Sequence, residues 1–160
     1  MSVARLQFVK STGMASWLIS RFGNGYWTHV DIVLPGGELL GARSDAIGGK
    51  PPGVQIRPPG YELWVDRMVI EIEASPWSLA LGRGFLNKQL GKPYDRLAIV
   101  AFAMDRDWRN EGQWICSELA ARYLEVSALI HKLDVCVSKV TPGACAMVAS
   151  AIGRRLHATP

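Results

Sequence analysis

A cysteine at the start of a helix and a histidine on a strand carry the most specific chemistry in this chain. Cys116 lies in Trp114-Ile115-Cys116-Ser117-Glu118, directly ahead of Leu119-Ala120-Ala121-Arg122-Tyr123-Leu124, a run of good helix formers. That order puts a thiol in the first turn of a helix, where unpaired N–H groups and a partial positive charge favour thiolate over thiol. The thiolate is the nucleophilic form, so the chemistry on offer is attack on an electrophilic carbon. A buried, inert core thiol suits the same position, because free cysteine is among the most buried residue types. Cys116, Leu119, Ala120, Tyr123 and Leu124 recur at helical spacing and share one face, with Glu118, Arg122 and Glu125 opposite. The thiol therefore points toward the body of the protein.

A nucleophilic thiol needs a base, usually histidine. His157 falls in the final stretch, 154–160, which reads as a frayed tail. His131 lies about 22 Å from Cys116 along a helical path, too far to reach it, and reads as a cation near the helix C-terminus. His29 sits in Thr28-His29-Val30-Asp31-Ile32-Val33-Leu34, a strand pattern that places His29, Asp31 and Val33 on one face. A strand is a rigid platform for catalysis, although a half-exposed strand face accounts for a histidine equally well. Same-face neighbours two residues apart are close to 7 Å at the backbone, which puts Asp31 at the limit of reach for orienting His29.

Gly91-Lys92-Pro93-Tyr94-Asp95 reads as a helix stop, a fixed turn and a new N-cap, which accounts for every residue except Tyr94. Taken in order, His29 on a strand, this Gly-Lys-Pro-Tyr-Asp turn and the cysteine-led helix resemble the NlpC-like cysteine hydrolases of the papain-like superfamily. Histidine before cysteine resembles their circularly permuted branch, which includes the YiiX-like and lecithin:retinol acyltransferase-like groups. The resemblance spans roughly residues 26–125. It implies a permuted papain-like fold, an antiparallel sheet packed against the cysteine-bearing helix. It further implies Cys116 as nucleophile, His29 as general base and then acid, Tyr94 lining the site, and an acyl-enzyme intermediate. Relatives of this kind often carry a polar residue, commonly glutamate, on the strand after the histidine strand. Here that strand reads Leu39-Leu40-Gly41-Ala42-Arg43, with glycine at the expected position. Asp31, Ser44, Asp45 and Gln55 are the candidates to replace it. Trp27 near His29 and Trp114 near Cys116 could wall a substrate groove, or pack as core and rim.

The elements that must position these groups follow from local pattern. Strands are expected at Val3–Val9, Tyr26–Leu34, Leu39–Arg43 and Arg67–Glu73, with a brief one at Val54–Arg57 inside a Gly- and Pro-rich loop region, 44–60. Pro35-Gly36-Gly37-Glu38 makes a hairpin turn. Ser75-Pro76 and Thr141-Pro142 are N-caps followed by proline, opening helices to about Leu90 and Ile152. Further helices are expected at Ser16–Phe22, Asp95–Met104 and Cys116 to about Leu129, and a late strand at Val135–Val140. Strands dominate the first half and helices the second, which is α+β in a single domain with its core at about 3–152.

Composition fits. The 160 residues are 49% hydrophobic and 20% charged, globular values. Three cysteines without a CxxC pair argue against a disulfide scaffold or zinc knuckle, and no ligand spacing or phosphate loop calls for a metal or organic cofactor. The net charge of +4 is spread along the chain, so nucleic acid is not expected as a partner. No signal peptide and no stretch near the roughly 20 apolar residues of a spanning helix is visible, pointing to a cytoplasmic protein, with export by a non-classical or phage route left open. The leading expectation is cysteine-dependent hydrolysis of an amide in a peptide, an isopeptide or a cell-wall stem peptide. The alternatives are acyl hydrolysis or transfer on a lipid, and a binding module of the same fold without turnover. Oligomeric state is not legible.

Overall fold

The computed structural model describes residues 2–11, 25–96, 112–134 and 139–156. Six strands form one antiparallel sheet: β1 (Ser2–Lys10), β2 (His29–Val33), β3 (Leu39–Arg43), β4 (Gly53–Arg57), β5 (Asp66–Ala74) and β6 (Arg154–Leu156), in the spatial order β4-β3-β2-β1-β5-β6. Three helices are described: α1 (Pro76–Gln89), α2 (Cys116–Val126) and α3 (Pro142–Ile152). The α+β class holds, and each expected hairpin strand finds its partner. The segment at 53–57 is a full sheet strand, paired along its length with β3, and not merely a strand-like stretch of loop.

Helix α2 packs on β2 and β3 and touches both α1 and α3, so the helices form one layer with α2 at its centre. Its apolar face, led by Leu119, Ala120 and Leu124, meets Phe8, Val30, Leu40 and Ala42 of the sheet in a single core. Glu118, expected to face outward, is buried, because α2 is covered nearly all round. The contact with α1 is close: a side chain added at Gly82 would lie 2.2 Å from Ser127 Oγ and 2.4 Å from Tyr123 Cε2. Only glycine allows that approach.

Three boundaries differ from expectation. Helix α2 stops at Val126, not near Leu129: Ala128 takes a left-handed φ of 52°, its N–H bonds the Glu125 carbonyl (2.9 Å), and the Leu129 N–H bonds the Leu124 carbonyl (3.0 Å). This is a Schellman stop with alanine where glycine is usual. His131 thus lies beyond the helix end, exposed, and is not a terminal helix cation. The stretch from Arg154, expected as tail, instead pairs with β5 through Leu156, and Arg154 joins Arg5 in binding the Glu71 carboxylate. Lys139 and Val140 are not in a strand. The expected helix at 16–22, most of those at 95–104 and 135–140, and Cys136 and His157 lie outside the described residues.

Candidate active site

Each end of the site is fixed by local chemistry. Helices α1 and α3 begin with Ser75 and Thr141, whose hydroxyls accept from the backbone N–H of Ser78 (3.0 Å) and Ala144 (3.1 Å). Helix α2 begins differently. Its cap is Ile115, with no side-chain hydrogen bond, so the N–H groups around Cys116 are not satisfied by a capping side chain. A parallel bridge joins Tyr94 to Trp114, with the Asp95 N–H on the Trp114 carbonyl (3.0 Å) and the Trp114 N–H on the Pro93 carbonyl (3.1 Å). The Gly-Lys-Pro-Tyr turn is thereby tied to the residues that launch the cysteine helix.

His29 opens β2, is buried, and pairs with Val9 across the sheet. Its Nε2–H donates to Asp31 Oδ1 at 2.9 Å. An ionised carboxylate only accepts, so the proton belongs on Nε2, and the ring's other nitrogen, Nδ1, is the one left for chemistry. The Tyr61 hydroxyl donates to Asp31 Oδ2 at 2.8 Å and lies 3.1 Å from His29 Nε2. Both carboxylate oxygens of Asp31 are therefore engaged.

The glycine at position 41 now has a physical reason. A Cβ there would sit 1.8 Å from Asp31 Oδ1. The carboxylate fills, from β2, the space that a side chain at residue 41 of β3 would need. Of the four candidate orienting groups, Asp31 is the one that reaches His29. Asp45 chelates Arg43 through both oxygens (2.9 and 3.1 Å), Ser44 offers its carbonyl to Arg96 (3.0 Å), and Gln55 sits opposite Gly41 in the β3–β4 register.

Around this trio is a charged shell that sequence reasoning missed. Arg43 binds the buried Glu62 as well as Asp45, and Glu62 also accepts from the Ser11 hydroxyl (3.0 Å). Arg57, only 1% exposed, donates to the carbonyls of Ile47 (3.2 Å), Gly41 (3.2 Å) and Pro51 (3.1 Å), fastening the Gly- and Pro-rich loop to β3. The guanidinium carbons of Arg43 and Arg57 each lie 5.6 Å from the Tyr61 ring centre. His29, Asp31 and Glu62 offer ligand atoms within 4.8 Å of one another, a grouping that could hold a cation. The Arg43 guanidinium already brings a positive charge to the Glu62 side of that cluster.

Electrostatics follow from this packing. Burial pulls the His29 pKa down, but the Asp31 carboxylate, with a further Coulombic contribution from Cys116, outweighs it and lifts the value to about 10. The imidazole is thus an imidazolium at neutral pH. Burial works to raise the Asp31 pKa, yet His29 and the hydrogen bonds from His29 and Tyr61 hold it below its ordinary value. Burial and Asp31 push the Tyr61 phenol far up, so it stays a donor. Tyr94 is raised by burial and by Cys116, which places its phenol in the field of the thiol. Cys145, buried in α3, is pushed up to about 12 by burial and by Cys116, and is an inert thiol.

The two tryptophans, read from sequence as groove wall or as core and rim packing, both make packing contacts. Trp114 is buried, gives its indole N–H to Gln89 (3.1 Å) and meets Phe85 edge-on at 5.8 Å, facing α1. Trp27 packs on Phe8 (6.4 Å) and Tyr26 (5.0 Å). A cleft of about 730 Å³, lined by Val3, Arg5, Leu34, Leu79, Arg83 and Leu86 among others, includes neither His29 nor Cys116. Compared with known proteins, the sequence matches no family model and no curated protein.

Proposed function

We propose that this protein is a cysteine-dependent hydrolase of the circularly permuted, NlpC-like papain type, cleaving an amide bond through an acyl-enzyme. The observation that carries the reading is His29 itself: buried, held by Asp31 and Tyr61, and raised to about 10 chiefly by Asp31, with Cys116 near enough to contribute. Such a histidine starts the reaction protonated, ready to act as an acid, rather than as a free base. The Cys116 thiolate attacks the carbonyl carbon, and the oxyanion that forms is received by backbone N–H groups at the uncapped start of α2. His29 then gives its Nδ1 proton to the leaving amine as the C–N bond breaks. Water attacks the thioester, His29 Nδ1 takes its proton, and the acid product leaves with the thiolate restored. Asp31 holds the ring through Nε2 in both steps, and Tyr94 borders the nucleophile.

Iodoacetamide at about pH 6.5 tests the pair. Rapid stoichiometric modification of Cys116, lost in His29→Ala, is the expected result, and the high pKa of Cys145 keeps that thiol silent. Slow, equal labelling of all cysteines would sink the enzyme reading. A panel of peptidoglycan fragments and acyl esters, run with wild type and Cys116→Ala, then separates amidase from lipid acyl hydrolase. Turnover on neither leaves a binding module of this fold.

A further inference from the structure

Leu63, Trp64 and Val65 are 92%, 44% and 62% exposed, and Tyr26 beside them is 52% exposed. Among the described residues this is the one place where three successive exposed residues all carry large apolar side chains. The segment joins Tyr61 and Glu62 to β5, and the Val65 N–H bonds the Lys10 carbonyl (2.8 Å) at the end of β1. Cations rim it. Lys10 Nζ lies 4.2 Å over the Tyr26 ring, and the Arg67 guanidinium 5.6 Å over the Trp64 ring. The neighbouring carboxylate, Asp66, accepts from the Tyr26 hydroxyl at 2.9 Å, and Glu62 is buried against Arg43. The rim is therefore net positive, on a chain of net charge +4.

We propose that this loop docks on the surface of an anionic lipid bilayer. The Leu63 tip projects instead of lining a groove, which suits insertion between headgroups. Tryptophan and tyrosine favour the bilayer interface, and lysine and arginine can lie along it with their charges on lipid phosphates. Register puts the docked face beside the candidate catalytic centre: Val9 pairs with both His29 and Arg67, and Lys10 follows it. Docking requires nothing of Cys116, so it stands or falls separately from the hydrolase reading.

Co-sedimentation with phosphatidylcholine vesicles, with and without phosphatidylglycerol, is the test. Wild type and Cys116→Ala should bind phosphatidylglycerol vesicles alike, and added salt should weaken binding. Trp64→Glu or Leu63→Glu should lower binding by about tenfold or more, and Lys10→Gln and Arg67→Gln by about fivefold each. Trp77→Glu, beyond the far end of the nine-residue β5, should bind as wild type. Thermal melts confirm that each variant is folded. The proposal is overturned if wild type does not sediment with phosphatidylglycerol vesicles, if Leu63→Glu and Trp64→Glu bind unchanged, or if Trp77→Glu loses as much as they do. It is equally overturned if light scattering shows a dimer that Leu63→Glu makes monomeric, which assigns the patch to a second copy of the chain.

Discussion

Gly41→Ala is a one-methyl test of the proposed catalytic centre. The added Cβ falls 1.8 Å from Asp31 Oδ1, 3.0 Å from Asp31 Cγ and 3.4 Å from the Val30 carbonyl oxygen. Non-bonded heavy atoms rest at about 3.5 Å, so the carboxylate must retreat by well over an ångström. That carries Oδ1 out of hydrogen-bond range of His29 Nε2, now at 2.9 Å. A hydrogen bond between charged groups contributes about 1.5–3 kcal/mol, so the His29 pKa should fall by about one to two pH units from its value near 10. The imidazole C–H signals, followed by NMR against pH, report that fall directly. Alkylation of Cys116 at neutral pH should slow in parallel. The decisive control is Asp31→Ala, which removes the group the methyl strikes. On that background Gly41→Ala should cost almost nothing, a coupling of about 1.5 kcal/mol or more. If Gly41→Ala leaves the His29 titration unchanged, or costs the same with and without the Asp31 carboxyl, the account of residue 41 is wrong.

Tyr61→Phe removes the donor to Asp31 Oδ2 but keeps the ring between Arg43 and Arg57. Turnover should drop about tenfold or more at a stability cost of about 1–3 kcal/mol, and a variant that loses stability without losing rate would contradict this. Because the folded His29 pKa of about 10 exceeds its unfolded value of 6.5, its stabilising contribution is complete below pH 6.5 and is lost as pH rises toward and through 10. Urea unfolding should track that loss, at most about 5 kcal/mol, and His29→Gln should lack it while keeping the further alkaline loss due to Cys145. Arg43→Gln strands the buried Glu62 carboxylate and should cost about 3–5 kcal/mol. Adding Glu62→Gln should recover much of that loss, and a double variant no more stable than the single would refute the pairing.

The positions of the sheet and helices were legible because local rules and tertiary packing agree there. Alternation marked β5, and the Ser-Pro and Thr-Pro pairs marked the starts of α1 and α3 to the residue. Disagreement came where a residue does something its type seldom does. Ala128 takes the left-handed stop usually left to glycine, so α2 ends early. Arg154–Leu156 is too short to signal a strand, and is held by β5 and Glu71 rather than by its own pattern. Of the candidate site, Cys116, His29, Asp31 and Tyr94 were visible as types at sensible spacings. Tyr61, Arg43, Glu62 and Arg57 were not, because each is recruited by a contact between separate segments. For Arg43 a hint existed, since period two puts it on the face of β3 that Gly41 shares.

The glycine at 41 and the aspartate at 31 are best understood as one feature. Two adjacent strands offer one volume beside the histidine, and only one side chain can fill it. If β3 supplied the polar group, β2 would need a small residue at position 31. Here β2 supplies it, so β3 must carry glycine. A carboxylate two residues along the histidine's own strand has a short, stiff backbone path to it, and the Tyr61 hydroxyl fixes its second oxygen. Arg43, two residues beyond Gly41, then neutralises Glu62 and Asp45 and pulls the His29 pKa down from where Asp31 alone would hold it. On the proposed reading, glycine at position 41 is compatible with an oriented His29, because Asp31 holds the ring from β2. Gly41 is what leaves the Asp31 carboxylate the room to do so.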